Sequence, residues 1–250
     1  MASIANCKNM KRELQIYPNP EALAEQVSAL LMNWIESSSN SKFHMAISGG
    51  STPNLLFSAL ATYYADSPLW QKTHFWWVDE RMVAPNDPES NFGVANKLLL
   101  SKITIPESNI HRILGEQVPY QEAENYSRQI REQVPMKDGW PCFDLIFLGI
   151  GDDGHTASIF PNHMELLQSD HICEVATHPV TFQQRVTLTG KAINNAEKVC
   201  VLVTGANKAE RMSEIWSEGE KGNKLPAGWI LPTEGQSIWF ADKKATIRIL

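Results

Sequence analysis

The chain has 250 residues, room for one large α/β domain or two small ones, and its 43% hydrophobic and 20% charged residues are the make-up of a soluble globular enzyme. A formal net charge of −6 argues against a general nucleic-acid or anionic-membrane surface, so cations that meet an anionic ligand must be gathered locally. No apolar run approaches the ~20 residues that span a bilayer, and Cys7, Cys142, Cys173 and Cys200 are too scattered for a disulfide framework or a zinc site.

The N-terminal "MASIANCKNMKREL" lacks the apolar core of a secretory signal and reads as a flexible segment over residues 1–16 of a cytoplasmic protein with reduced thiols, with a short targeting remnant as the alternative. "PEALAEQVSALLMNWIE" carries Leu23, Val27, Leu30, Leu31 and Trp34 at helical spacing, with Asn19 as cap and Pro20 in the first turn. "FHMAIS" (Phe43–Ser48) is a strand, followed by the turn "GGSTP" and a helix from Pro53 towards Tyr64. "HFWWVDE" (His74–Glu80) is a second strand, and after a polar loop Asn91–Leu100 reads as a helix. Further on, "AENYSRQIREQV" and "NKAERMSEIWSEG" are helical, while "FDLIFLGIG", "RVTLTG", "KVCVLVTG" and "SIWFAD" are strands. Strands apolar on both faces and separated by helices predict a mainly parallel sheet covered on both sides. No linker divides the chain, so residues 17–250 are read as one α/β domain.

In such a sheet ligands bind beyond the carboxyl ends of the strands, and the loops there carry the chemistry. In "SGGSTP", Gly49 and Gly50 let the backbone approach a ligand, Ser51 or Thr52 can cap the helix, and a helix N-terminus attracts anions. It is not a Walker A loop, because no G-K-[ST] follows; an ordinary strand-to-helix turn is the plain alternative. Asp79, Glu80 and Arg81 are consecutive at the mouth of a strand, where Arg81 could clamp a phosphate or carboxylate, or join a surface ion pair.

"LGIGDDGHTASIFP" contains G-x-G-x-x-G at Gly149, Gly151 and Gly154, and Glu174 follows 20 residues later, as a dinucleotide site would have it. Asp152 and Asp153 would, however, face the pyrophosphate and repel it. What remains is Asp153-Gly154-His155 on a tight turn before a helix, where a carboxylate can orient an imidazole as in general-base sites. In "TGANKAERM", Lys208 opposes the helix dipole unless it faces an anion or solvent, and Arg185 opens a strand in "QQRVTLTG".

Taken in order, "SGGSTP", "WVDER" with "PESNFG", "LGIGDDGHTASIFP", "QRVTLTG", "VTGANKAE" and "LPAGWILP" resemble the 6-phosphogluconolactonase family, from about Tyr17 to Phe240. That family shares its fold with the glucosamine-6-phosphate deaminases. The resemblance implies a Rossmann-like, mainly parallel sheet with helices on both faces, NagB/RpiA/CoA transferase-like. The deaminases read D-E-Y where this chain has Asp79-Glu80-Arg81. They also carry a glutamate five residues after the D-G-H histidine, where this chain has Phe160, which cannot transfer a proton.

The implied reaction is hydrolysis of 6-phosphogluconolactone in the oxidative pentose phosphate pathway, with no cofactor or metal and no obligatory protein partner. His155 would be the base and Asp153 its orienter. The 6-phosphate would sit near Gly49, Gly50, Ser51 and Thr52 with Lys208 as counter-charge. Arg81 and Arg185 would clamp phosphate or sugar oxygens, Asp79 would bind a sugar hydroxyl, and amides around Gly151–Gly154 are candidates for the oxyanion. An amino-sugar-phosphate deaminase, a non-catalytic sugar-phosphate sensor and a nucleotide-dependent oxidoreductase are the alternatives.

Overall fold

The apolar runs become strands in a computed structural model that describes residues 12–217 and 219–249. The strands are β1 (Arg12–Tyr17), β2 (Phe43–Ile47), β3 (Thr73–Trp77), β4 (Asp79–Arg81), β5 (Ile110–His111), β6 (Met136–Lys137), β7 (Trp140–Pro141), β8 (Leu145–Gly149), β9 (Cys173–Thr177), β10 (Gln184–Leu188), β11 (Lys198–Val203) and β12 (Gln236–Asp242). The helices are α1 (Pro20–Ser37), α2 (Ser51–Tyr63), α3 (Asn91–Leu98), α4 (Pro119–Gln133), α5 (Gly190–Asn194) and α6 (Ala209–Trp216).

Seven strands form the central sheet in the order β1-β12-β11-β8-β2-β3-β5, all parallel. Every residue of β2 and β3 is buried, so both faces of the sheet are covered, as unbroken apolar runs require. From β2 the chain winds outward through β3 to β5; from β8 it winds the other way through β11 to β12. The direction of winding reverses between β2 and β8, and a crevice opens beyond the carboxyl ends of strands at such a point. The two glycine-rich loops leave these two neighbouring strands.

Several elements differ from the sequence reading. Of the segment expected to be flexible, residues 1–11 lie outside the described ones, and residues 12–16 belong to β1, which pairs in parallel with β12. Arg12 anchors this edge by donating to the Gly228 carbonyl and lying 5.7 Å from the Trp239 ring centroid. Helix α1 starts as expected, with Asn19 Oδ1 accepting from Ala22 N at 2.8 Å. Helix α4 begins at Pro119 rather than Ala123, because proline suits the first turn. Finally, β10 joins an antiparallel sheet β4-β10-β9 outside the central one. The chain crosses between sheets at Val78, whose N–H donates to Ile47 and whose carbonyl accepts from Leu188 N at 2.7 Å.

Three histidines, His44, His74 and His111, lie buried side by side on β2, β3 and β5. His74 Nδ1 is 3.0 Å from His111 Nε2, His44 accepts from Trp76 Nε1, and Trp76 stacks on His111 at 4.0 Å. Burial, with His74, His111 and Lys42 nearby, pushes His44 down to about 3. Burial and His74 push His111 down to about 4, and burial lowers His74 as well. The native state thus keeps them neutral while the unfolded chain takes up protons below the ordinary histidine value of ~6.5. Because the folded values lie below the unfolded one, stability should be undiminished by these groups above that pH and fall steadily towards pH 4. Urea midpoints measured from pH 7.5 to 5 test this; a flat profile would contradict a neutral triad.

Candidate active site

At the reversal point lies a cavity of about 210 Å³, and the loops after β2, β3, β8 and β11 line it. Its first wall is the turn after β2. Ser48 Oγ donates to the Phe147 carbonyl at 2.8 Å and ties the ends of β2 and β8 together. Gly50 takes φ +118°, a conformation that glycine tolerates best, and holds the cap position of α2. Ser51 and Thr52, expected as side-chain caps, do not cap: the helix starts at Ser51, and Thr52 Oγ1 instead meets Thr204 Oγ1 at 2.7 Å. With no side chain at the cap, the first-turn amides remain available to an anionic group.

The turn after β8 holds the expected imidazole. His155 Nδ1 is 2.6 Å from Asp153 Oδ1, and the same oxygen accepts from the His155 backbone N–H at 3.0 Å. Burial alone would raise the Asp153 carboxyl, but the hydrogen bonds and charge of His155 outweigh it and hold Asp153 down at about 2. An ionised Asp153 makes Nδ1 the protonated nitrogen and leaves Nε2 to exchange a proton. His155 lines the cavity, and its side chain is 26% exposed, neither sunk in the core nor free in solvent.

The turn is closed by Gly151 N donating to the His155 carbonyl at 2.8 Å and Gly154 N to the Gly151 carbonyl at 3.0 Å. These two amides, expected among the oxyanion donors, are therefore spent within the turn. No helix follows at once, contrary to expectation. Thr156 pairs with Ile159 in a β-bridge, and only a short 3-10 turn, Met164–Leu167, comes later. Without a helix N-terminus the G-x-G-x-x-G pattern has no dinucleotide cradle to build.

The glycine at 151 has another cause. A Cβ there would stand 2.1 Å from His155 Nδ1 and 2.8 Å from Asp153 Oδ1. Gly151→Ala should accordingly displace the imidazole–carboxylate pair and cut kcat by about 10²-fold or more, since small misplacements of reacting groups cost that much, with a modest change in melting temperature. Parallel kinetic and thermal measurements check this, and wild-type kcat in the variant would remove the packing argument.

The third wall comes from the β4–β10 pairing, which sets Arg81 opposite Arg185 and Asp79 opposite Thr187. Arg185 Nη1 lies 3.4 Å from Ser158 Oγ and 3.9 Å from Asp79 Oδ2, and Ser158 Oγ donates to that carboxylate at 2.6 Å. Burial lowers the Arg185 pKa, with Arg81 adding to the effect and Asp79 opposing it. Among the described residues, Nε of both arginines is buried without a hydrogen-bond partner, a costly arrangement. Arg81 Nη1 donates to the Glu89 carbonyl at 2.5 Å. Glu80 turns away from the cavity and holds the following loop, accepting from Asn91 N and Phe92 N at 2.8 Å. Its carboxyl is raised by burial against those bonds.

On the remaining side, Lys208 lines the cavity and its Nζ lies 2.5 Å from Asp152 Oδ1. The structure thus brings together Gly49, Gly50, Ser51, Thr52, Asp79, Arg81, His155, Arg185 and Lys208, with Asp153 directly behind His155. Sequence reasoning missed Asn91, which lines the cavity and donates to the Asp79 carbonyl at 2.8 Å, and the buried Ser158. Both sit in the quoted stretches "PESNFG" and "HTASIFP", but only tertiary contact with Asp79 gives them a role.

Residues 18–239 match the family model described as glucosamine-6-phosphate isomerases/6-phosphogluconolactonase. The chain belongs to this family. A 6-phosphogluconolactonase of Aggregatibacter actinomycetemcomitans is 40% identical over 92% of the chain and 96% of its own length. The crystal structure of a protein called devB superposes with a TM-score of 0.91 at 40% identity, covering 96% of this chain and all of that one (100%). A 6-phosphogluconolactonase from Thermotoga maritima superposes at 0.81 with 30% identity, covering 93% and 100%. In this chain Phe160 is fully buried and packs its ring 4.9 Å from that of His155, with Arg185 lying 5.6 Å from its centroid. An apolar ring shapes the imidazole's seat and offers no proton.

Proposed function

We propose that the chain is a 6-phosphogluconolactonase, hydrolysing 6-phospho-D-glucono-1,5-lactone to 6-phospho-D-gluconate in the oxidative pentose phosphate pathway. One observation carries the reading: an imidazole oriented by an ionised carboxylate lines the same cavity as an uncapped helix N-terminus, two arginines and a lysine. The family membership and the lactonase relatives support the same reaction.

Water attacks the lactone carbonyl carbon, C1, and gives a proton to His155 Nε2 as the new C–O bond forms. Asp153 stabilises the resulting imidazolium. When the tetrahedral centre collapses, the bond from C1 to the ring oxygen breaks and the imidazolium returns the proton to that oxygen, leaving a carboxylic acid that ionises in solution. Each transfer is worth ~10²–10⁴-fold, ample for an activated ester. The first-turn amides of α2 and the ammonium of Lys208 hold the phosphate. Arg81 and Arg185 offer their guanidinium groups to substrate oxygens, on the phosphate or the sugar, and Asp79, braced by Ser158, takes a sugar hydroxyl.

Among the described residues no helix is long and apolar enough to cross a membrane. Free Cys142, Cys173 and Cys200 support a reducing, cytoplasmic setting.

Generating the lactone in situ with glucose-6-phosphate dehydrogenase and following acid release tests the proposal. The protein should accelerate release well beyond the spontaneous rate. Identical rates with and without it, or ammonia release from glucosamine 6-phosphate instead, would sink the lactonase reading.

A further inference from the structure

Asp152 has no part in the reaction just described, yet it is tied to the phosphate side of the cavity. Its Oδ1 accepts from Lys208 Nζ at 2.5 Å and from Asn207 Nδ2 at 2.9 Å, so one carboxylate oxygen joins the turn after β8 to the turn after β11. The two partners are placed differently. Lys208 lines the cavity with its side chain 19% exposed, whereas Asp152 is not part of the lining and is 75% exposed. The hydrogen bond and charge of Lys208 hold the Asp152 carboxyl below the usual carboxylate range.

We infer that Asp152 is a resident counter-ion of Lys208 that sets how weakly the site holds a phosphate monoester, an inference that rests on the phosphate role proposed for that lysine. A phosphate reaching the ammonium would share it with a carboxylate and lie a few ångströms from a like charge. This repulsion acts on any phosphorylated ligand, substrate and product alike, and leaves the reacting carbonyl untouched. It therefore reduces uniform binding rather than stabilisation of the transition state. Lactone and product carry the same phosphate, so whatever loosens one loosens the other, and the counter-ion favours product departure at the expense of KM. Asn207 keeps the carboxylate on station by holding the same oxygen.

Asp152→Asn preserves the shape and an acceptor oxygen for Lys208 and Asn207 while removing the charge. In the full-length chain, KM for 6-phosphogluconolactone should fall about tenfold, the size of one charge interaction at a partly exposed site. Calorimetric Kd values for 6-phosphogluconate and for inorganic phosphate should fall with it. KM for unphosphorylated gluconolactone should stay within twofold of wild type. Unchanged or weaker phosphate binding would show that Asp152 only positions the lysine and would overturn the inference, as would equal tightening towards the unphosphorylated lactone. Failure of the wild-type chain to hydrolyse lactone would remove the lactonase reading while the calorimetric comparison still decided this one. Failure of the wild type to bind either phosphate ligand would overturn both.

Discussion

His155→Ala is expected to lower kcat by about 10²–10⁴-fold, the worth of one positioned acid–base group, and so to bring acid release close to the enzyme-free blank. His155 is the cavity-lining imidazole, and its Nδ1 is committed to Asp153 at 2.6 Å. The fold should survive, because the turn is closed by backbone bonds that alanine retains, notably Gly151 N to the residue 155 carbonyl. The side chain is also partly exposed, so its loss leaves no sealed core cavity. Asp153→Asn should lose a large part of the same factor, since an amide cannot stabilise an imidazolium. With the imidazole gone, Asp153 loses the side-chain hydrogen bond and charge that help hold it down and keeps the backbone N–H of residue 155, so its carboxyl should titrate at higher pH in the alanine variant. Rates against the blank and thermal midpoints for both variants decide the matter; a kcat for His155→Ala within a few-fold of wild type would take the histidine out of the mechanism.

The sequence alone made this turn readable and left others obscure, for physical reasons. Unbroken apolar runs such as "FHMAI" and "LIFLG" identified β2 and β8, because strands buried on both faces leave little room for polar residues. β1 escaped notice since "RELQIY" alternates in character and lies at an edge, where one neighbour suffices. β10 reads like any other strand, and nothing local says that it pairs antiparallel with β4 outside the central sheet. That pairing nonetheless places Arg81 opposite Arg185, the strongest cationic feature of the site.

The glycine turn and the D-G-H turn were legible because tight turns and close approaches demand particular residues. Ser158 and Asp79 were not linked beforehand: their contact spans 79 positions, and neither residue type signals it. Asp152 shows the limit most clearly. Local reading saw only a charge that a diphosphate would avoid, while the fold pairs it with Lys208, 56 residues away.

Lys208→Ala should raise KM for the phosphorylated lactone by about 10- to 100-fold, the range that a charge-assisted hydrogen bond covers, with a much smaller effect on kcat. Lys208 touches no reacting atom in the proposed mechanism, so its contribution belongs to binding of substrate and transition state alike. Stability should barely change, because the pair it makes with Asp152 is partly exposed and such pairs contribute little. Removing the ammonium also leaves Asp152 as an unbalanced carboxylate beside the phosphate position, which adds repulsion to the lost attraction. The double variant Asp152→Asn with Lys208→Ala should therefore bind the phosphorylated lactone better than Lys208→Ala alone. Unphosphorylated gluconolactone is the control: its KM should be nearly indifferent to both changes. Equal losses with the two lactones would mean that Lys208 shapes the cavity as a whole, and the phosphate would then have to be held by the amides of α2 and the arginine pair.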